Sequence, residues 1–104
     1  MKEYAAKRAA HRKPMHPGEL LREDVLPALK RPKTEIATLL GIGRMTLYEI
    51  LVEKAPVTPA MAVRLGKLCG NGPEIWAELQ SRYDVWQARQ SVDVRAIPTL
   101  HAAE

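Results

Sequence analysis

No apolar run in this chain approaches the roughly 20 residues that a helix needs to cross a bilayer. The basic start "MKEYAAKRAAHRK" has no apolar segment behind it, which excludes the pattern of a secretory signal. Cys69 is the single cysteine, so no disulfide can close within the chain, and it reads as a small buried apolar residue. His11, His16 and His101 lack the spacing of metal ligands, and no nucleophile–base pair stands out. Paired acids such as Glu23-Asp24 fit a solvated helical face. These absences predict a soluble cytoplasmic protein that is not an enzyme and holds neither metal nor cofactor. What is there is 104 residues with 46% apolar content, enough for one domain around one core.

The net charge of +4 is unevenly placed. Residues 1–13 carry Lys2, Lys7, Arg8, Arg12 and Lys13 against Glu3, while residues 14–104 carry 11 basic and 11 acidic side chains. The sequence therefore reads as a basic arm (1–13), a neutral domain (14–90) and a short tail (91–104). A basic arm is either a solvated extension or one that touches phosphate or a partner.

Helix punctuation recurs along the domain, and no sustained alternation typical of strands appears. In "HPGELLREDVL", Pro17 suits the first helical position, with His16 helping to open the helix. Leu20, Leu21 and Val25 form its apolar stripe, and Pro27 predicts an end near Leu26. In "RPKTEIATLLG", Ile36, Ala37, Leu39 and Leu40 recur at helical spacing before Gly41, a left-handed terminator. Its start is either Pro32 as first helical residue or Thr34 as cap. In "GRMTLYEILVEK", Leu47, Ile50 and Leu51 face inward, and Arg44, Met45, Tyr48, Glu49 and Val52 face the other side. Thr58-Pro59 starts the fourth helix, with Met61, Ala62, Leu65, Leu68 and Cys69 inward and Gly70 closing it. Pro73 opens the longest helix, which extends to about Gln90 with Ile75, Trp76, Leu79, Tyr83 and Trp86 as a wide stripe. Glu78 and Arg82 are spaced to pair along it. The tail alternates briefly at Val92 and Val94, then meets Pro98, and is extended or a short strand.

The segment "LLGIGRMTLYEIL" could hold a phosphate cradle or a corner between helices. A cradle needs a preceding strand and either a third glycine or Gly-Lys-Ser/Thr, and none is present. The corner fits each position: Gly41 ends one helix, Ile42 plugs the turn, and Gly43 opens the next. Two short helices so joined form a helix-turn-helix, whose second helix can present its N-terminal residues to base edges in the major groove. An ordinary helical hairpin that binds nothing has the same pattern.

One helix before this pair and two after it give an all-α, five-helix, lambda-repressor-like plan. Within that Cro/repressor (XRE-like) superfamily the chain resembles the HigA-type antitoxins of type II toxin–antitoxin systems. The resemblance rests on "MHPGELLRED", "TEIATLLGIGRMTLYEIL", "VTPAMAVRLGKLCG" and "PEIWAELQSRYDVWQ", and covers about residues 15–87 in order and spacing. It implies a dimeric bacterial protein that neutralises a RelE/HigB-like mRNA endonuclease toxin and binds operator DNA in its own promoter to repress transcription. The alternatives are a toxin-neutralising interaction module without operator binding, and a stand-alone transcriptional repressor.

For base reading the expected residues are Arg44, Met45, Tyr48 and, more awkwardly, Glu49. Arg44 holds the family's first exposed position of the recognition helix and can donate two hydrogen bonds to a guanine, or contact phosphate instead. Met45 either meets a thymine methyl or packs inward. Tyr48 can reach phosphate or sugar, or lie across its own helix. Glu49 repels phosphate but can accept from cytosine N4, unless it pairs with Arg44 or Lys54. Lys33 and Thr34, where the family begins its second helix, are expected at phosphate, with Lys30 and Lys54 behind them. Many family members carry Asn-Gly after the recognition helix, whereas this chain has Val52-Glu53.

The expected dimer contacts are Leu79, Tyr83 and Trp86, with Trp76 kept for the core. The toxin surface is either the acidic strip Glu74, Glu78 and Asp84, or residues 91–100 adding a strand to the toxin. Because residues 14–104 are neutral, residues 2–13 are expected to add electrostatic affinity for DNA. Deleting them should flatten the dependence of log K on log[salt] for operator binding, measured by anisotropy titration between low and physiological salt.

Overall fold

A histidine opens the first helix. In the computed structural model, which describes residues 13–102, His16 is extended and its Nδ1 accepts a 2.9 Å hydrogen bond from the Gly18 N–H. Pro17 follows as the first helical residue, where its missing N–H leaves no intrahelical bond unmade. Helix α1 (17–29) then runs as Pro17–Leu20, a π-helical turn Leu21–Val25, and Leu26–Leu29. The expected stop before Pro27 is thus corrected. Pro27 has no N–H, and in α geometry its ring would strike the carbonyl four residues back. Widening the preceding turn, so that the Leu26 N–H bonds the Leu21 carbonyl five residues back, re-aims that carbonyl and lets the helix continue. Lys30, in the left-handed region at φ 54°, ends it.

Helix α2 (Lys33–Leu40) starts at neither expected residue: Pro32 lies just outside it, extended, and Thr34 is already in the second helical position. Gly41 closes α2 at φ 72°, with its N–H on the Thr38 carbonyl and the Ile42 N–H on Ala37, so two end carbonyls are satisfied. Half-buried Ile42 packs on the core, and helix α3 (Arg44–Leu51) begins two residues later. Thr58 caps helix α4 (Pro59–Cys69) by accepting from the Met61 N–H at 3.2 Å. Helix α5 (Pro73–Ser91) is the longest.

The core gathers Leu21, Ile36, Leu47, Ile50, Leu65 and Trp76, all but sealed from solvent. Trp76 keeps its polar edge satisfied by donating its indole N–H to Asn71 Oδ1 at 3.0 Å. Gln80 is buried beside it, accepting the Val57 N–H at 2.7 Å and donating to Asp84. Leu39 and Ile75, expected inward, are exposed. Glu78 and Arg82, although correctly spaced, form no ion pair. After α5 the chain makes one turn, closed by the Ile97 N–H on the Val94 carbonyl, and no strand occurs among the described residues.

Three contacts fix α2 and α3 to the helices around them. A Cβ on Gly18 would lie 1.9 Å from the Ile50 carbonyl oxygen, so only glycine allows α1 to approach the end of α3 this closely. Arg22 from α1 donates through Nη1 to the Leu51 carbonyl at that same end. Arg64 from α4 donates to the Leu40 carbonyl at 2.7 Å, at the end of α2. Both carbonyls lack intrahelical partners, and both helix ends carry partial negative charge, so each guanidinium meets two needs at once.

The His16 imidazole is buried, and that burial holds its pKa below the ordinary 6.5 despite the nearby carboxylates of Glu53 and Asp84. The neutral ring is also the form that can accept from Gly18. In the pH window below 6.5 the unfolded chain therefore binds more protons, and stability falls with pH until the folded value is passed. Denaturant midpoints measured from pH 8 down to 5 should be flat above about 6.5 and decline below it. His16→Asn, which keeps a capping acceptor, should remove most of that decline.

Candidate nucleic-acid interface

Helix α3 is amphipathic. Leu47, Ile50 and Leu51 are buried and pin it to the core, while its first turn points out. Arg44 is exposed at the first helical position, Met45 is 66% exposed and Tyr48 55%. The inward alternative for Met45 is thereby excluded, and Arg44, Met45 and Tyr48 project away from the bundle together.

Between α2 and α3 lies a cleft of about 70 Å³ floored by Leu47 and Leu51 and walled by Lys33, Thr34, Arg44 and Tyr48. Four residues drawn from two separated stretches of sequence thus converge on one groove. Lys33 and Thr34 occupy the first turn of α2, whose backbone N–H groups have no intrahelical partners. An ammonium beside a helix N-terminus is a favourable setting for a phosphate oxygen. Neighbouring Arg31 is exposed and paired with Glu35 one turn on, which draws its charge away from any ligand.

Lys30, Lys54 and Glu49 are not part of this cleft. Lys30 is exposed at the left-handed end of α1, and Lys54 is exposed just past α3, where its N–H caps the Glu49 carbonyl at 2.8 Å. Glu49 is half-buried, and among the described residues its carboxylate pairs with neither Arg44 nor Lys54. The intramolecular reading of Glu49 is therefore corrected.

The residues expected at a dimer contact divide. Leu79 and Trp86 are half-buried and keep some free surface. Tyr83 is only 9% exposed, its ring set edge-on against His16 at 4.8 Å between centroids, so its surface is used within its own protomer. Lys13 lies over Tyr83 and Trp86 at 5.6 and 5.8 Å from the ring centres, within reach of a cation–π attraction. The rest of the expected basic arm, residues 1–12, lies outside the described residues. The acidic strip is present as surface, with Glu74, Glu78 and Asp84 all exposed on α5. Sequence reading missed Arg22 and Arg64 as end caps; the available signal was a cation at position 22, immediately beside buried Leu21.

The comparisons agree with this geometry. No family model matches the chain. An uncharacterised helix-turn-helix transcriptional regulator of Haemophilus influenzae is 37% identical over 75 residues, 72% of this chain and 70% of that protein. An addiction-module antidote protein of the HigA family from Coxiella burnetii superposes with a TM-score of 0.75 at 30% identity, over 86% of this chain and all of that one. The antitoxin HigA of Pseudomonas aeruginosa, solved with the higBA promoter, superposes at 0.71 and 31% identity, over 75% of this chain and 85% of that one. The chain belongs to the HigA family of helix-turn-helix antitoxins. In this HigA-like fold, α2 and α3 are the helix-turn-helix, and α3 is its second helix.

If Lys33 neutralises one phosphate, Lys33→Ala should weaken binding to promoter and scrambled duplexes equally. It should also make the slope of log K against log[salt] shallower by about 0.9, measured by anisotropy.

Proposed function

We propose that this chain, as a homodimer, binds an operator in its own promoter through α3 and represses transcription. We further propose that it neutralises a RelE/HigB-like mRNA endonuclease toxin. The observation that carries the DNA reading is the shared outward face of Arg44, Met45 and Tyr48 beside the cationic start of α2. A guanidinium at the head of α3 can span O6 and N7 of a guanine, Met45 offers a thioether to a thymine methyl, and Tyr48 can reach phosphate or sugar. Lys33 and Thr34 would set the register on the backbone, with Lys30 and Lys54 at the margins. Glu49, half-buried behind this face, would discriminate by accepting from a cytosine amino group and by repelling misplaced phosphate.

A single protomer offers one recognition helix, so half-site reading calls for a two-fold partner that places two such helices about 34–36 Å apart. The surface available on α5 is Leu79 and Trp86, extended by exposed Val85. Toxin capture would use the acidic strip Glu74, Glu78 and Asp84, opposite in sign to a basic nuclease, or the exposed residues 91–100. Glu49, half-buried and without an ion-pair partner among the described residues, is what favours the second reading, an interaction module that captures toxin without binding DNA.

A mobility shift on the chain's own promoter separates the two. The wild-type chain should retard the promoter fragment over a scrambled duplex, and Arg44→Ala should cost about 1–3 kcal/mol of that preference. It should still co-purify with the toxin encoded beside it. No retardation, with toxin capture intact, would leave the interaction module as the function.

A further inference from the structure

Glu53 is strained. It follows α3 in the left-handed region at φ 64°, a conformation that favours glycine, and it is one of only two non-glycine residues there among the described residues. Its N–H donates to the Ile50 carbonyl at 3.0 Å, so the strained turn is folded back onto the end of α3. Its side chain, a quarter exposed, accepts from Arg22 Nη1 at 3.3 Å. The same Nη1 donates to the Leu51 carbonyl, and Arg22 Nε donates to Glu23 at 3.0 Å. One guanidinium on α1 therefore holds the last carbonyl of α3, the side chain of the strained residue beyond it, and a carboxylate on its own helix.

These contacts lie at the opposite end of α3 from Arg44. At a rise of 1.5 Å per residue the eight-residue helix is roughly 12 Å long, so a tilt of about 10° at its exit moves its head by about 2 Å. A hydrogen-bonded fork at a base edge tolerates only about 0.5 Å of misplacement. The buried stripe of Leu47, Ile50 and Leu51 holds α3 to the core but is apolar and non-directional. The directional contacts that α1 makes with the exit of α3 pass through Arg22.

We infer that Arg22 is a positioning residue for base reading: by tying the Leu51 carbonyl and the strained Glu53 turn to α1, it sets the pose in which α3 presents Arg44, Met45 and Tyr48, without touching DNA. This deepens, and rests on, the operator reading above. It also gives Glu53 a purpose, because a residue that resists its own backbone conformation is kept there by its partner. A glycine at 53 would hold the same turn with no partner at all.

The test uses the full chain with Arg22→Met, Arg22→Lys and the double variant Arg22→Met/Glu53→Gly, each confirmed folded by circular dichroism. Binding to the promoter fragment and to a scrambled duplex is followed by anisotropy across a salt series. Arg22→Met should lose about tenfold or more on the promoter, nothing on the scrambled duplex, and leave the salt slope unchanged. Arg22→Lys, with one charge but no fork, should fall between. Glu53→Gly should restore most of the Arg22→Met loss, since glycine holds the turn without the guanidinium. An equal loss on both duplexes with a slope shallower by about 0.9 would make Arg22 a phosphate contact and overturn the proposal. So would wild-type affinity in Arg22→Met, or a loss that Glu53→Gly leaves in place. If the wild-type chain shows no promoter preference, the operator reading falls by itself, and hydrogen exchange then decides the positioning role. Faster exchange at the Leu51–Lys54 amides in Arg22→Met, with the Trp76 core still protected, supports it; unchanged exchange refutes it.

Discussion

Everything on the outward face of α3 depends on a backbone-to-backbone contact on its inward side, where Gly18 rests against the Ile50 carbonyl. The absence of a side chain at Gly18 brings the first turn of α1 against the last turn of α3. That closeness brings the Arg22 guanidinium of α1 within reach of the Leu51 carbonyl, while His16 caps the start of α1 at the Gly18 N–H. The apolar stripe supplies most of the free energy of attachment, but it can slide. The Arg22–Leu51 hydrogen bond cannot, since a hydrogen bond weakens steeply once its angle is lost. Burial and direction are thus divided between two sets of residues, and α3 needs both to hold Arg44 and Tyr48 in one orientation.

Charge follows a similar economy. A body of zero net charge gains phosphate affinity only by sorting its ions, and the sorting is visible. Glu35 binds Arg31, Glu23 and Glu53 bind Arg22, and Asp93 binds Arg95, while Lys33 and Arg44 stand beside one cleft without an acidic partner among the described residues. Exposed pairs of this kind add little stability. Their greater effect is to take cations elsewhere on the surface out of competition for an anion. With Arg22, Arg31 and Arg95 held by carboxylates, Lys33 and Arg44 are the cations that line the α2–α3 groove.

The locally encoded parts of this fold were legible from sequence. The stops at Gly41 and Gly70, the starts at Pro17, Thr58-Pro59 and Pro73, and the split faces of α3 each follow from a residue acting on its own few neighbours. What was misread depended on distant partners. Pro27 should end a helix, but a wider turn upstream let α1 continue. Leu39 and Ile75 satisfied the helical period yet found no opposing surface. Tyr83 looked free because its partner, the His16 ring, lies 67 residues away in sequence. Arg22 and Arg64 are tertiary caps, and no periodicity marks a cation whose acceptor is another helix's carbonyl.

The two tryptophans occupy environments unlike enough to serve as separate optical probes. Trp76 is sealed in the core with its indole N–H bonded to Asn71, whereas Trp86 is half-exposed under the Lys13 ammonium. Indole emission shifts to the blue as its surroundings become apolar, so the first reports on melting of the bundle. The second reports on whatever settles over the outer part of α5. Substituting Trp86 would leave a tryptophan signal from the core alone, and the difference from the wild-type emission would isolate the outer part of α5, with no dye attached.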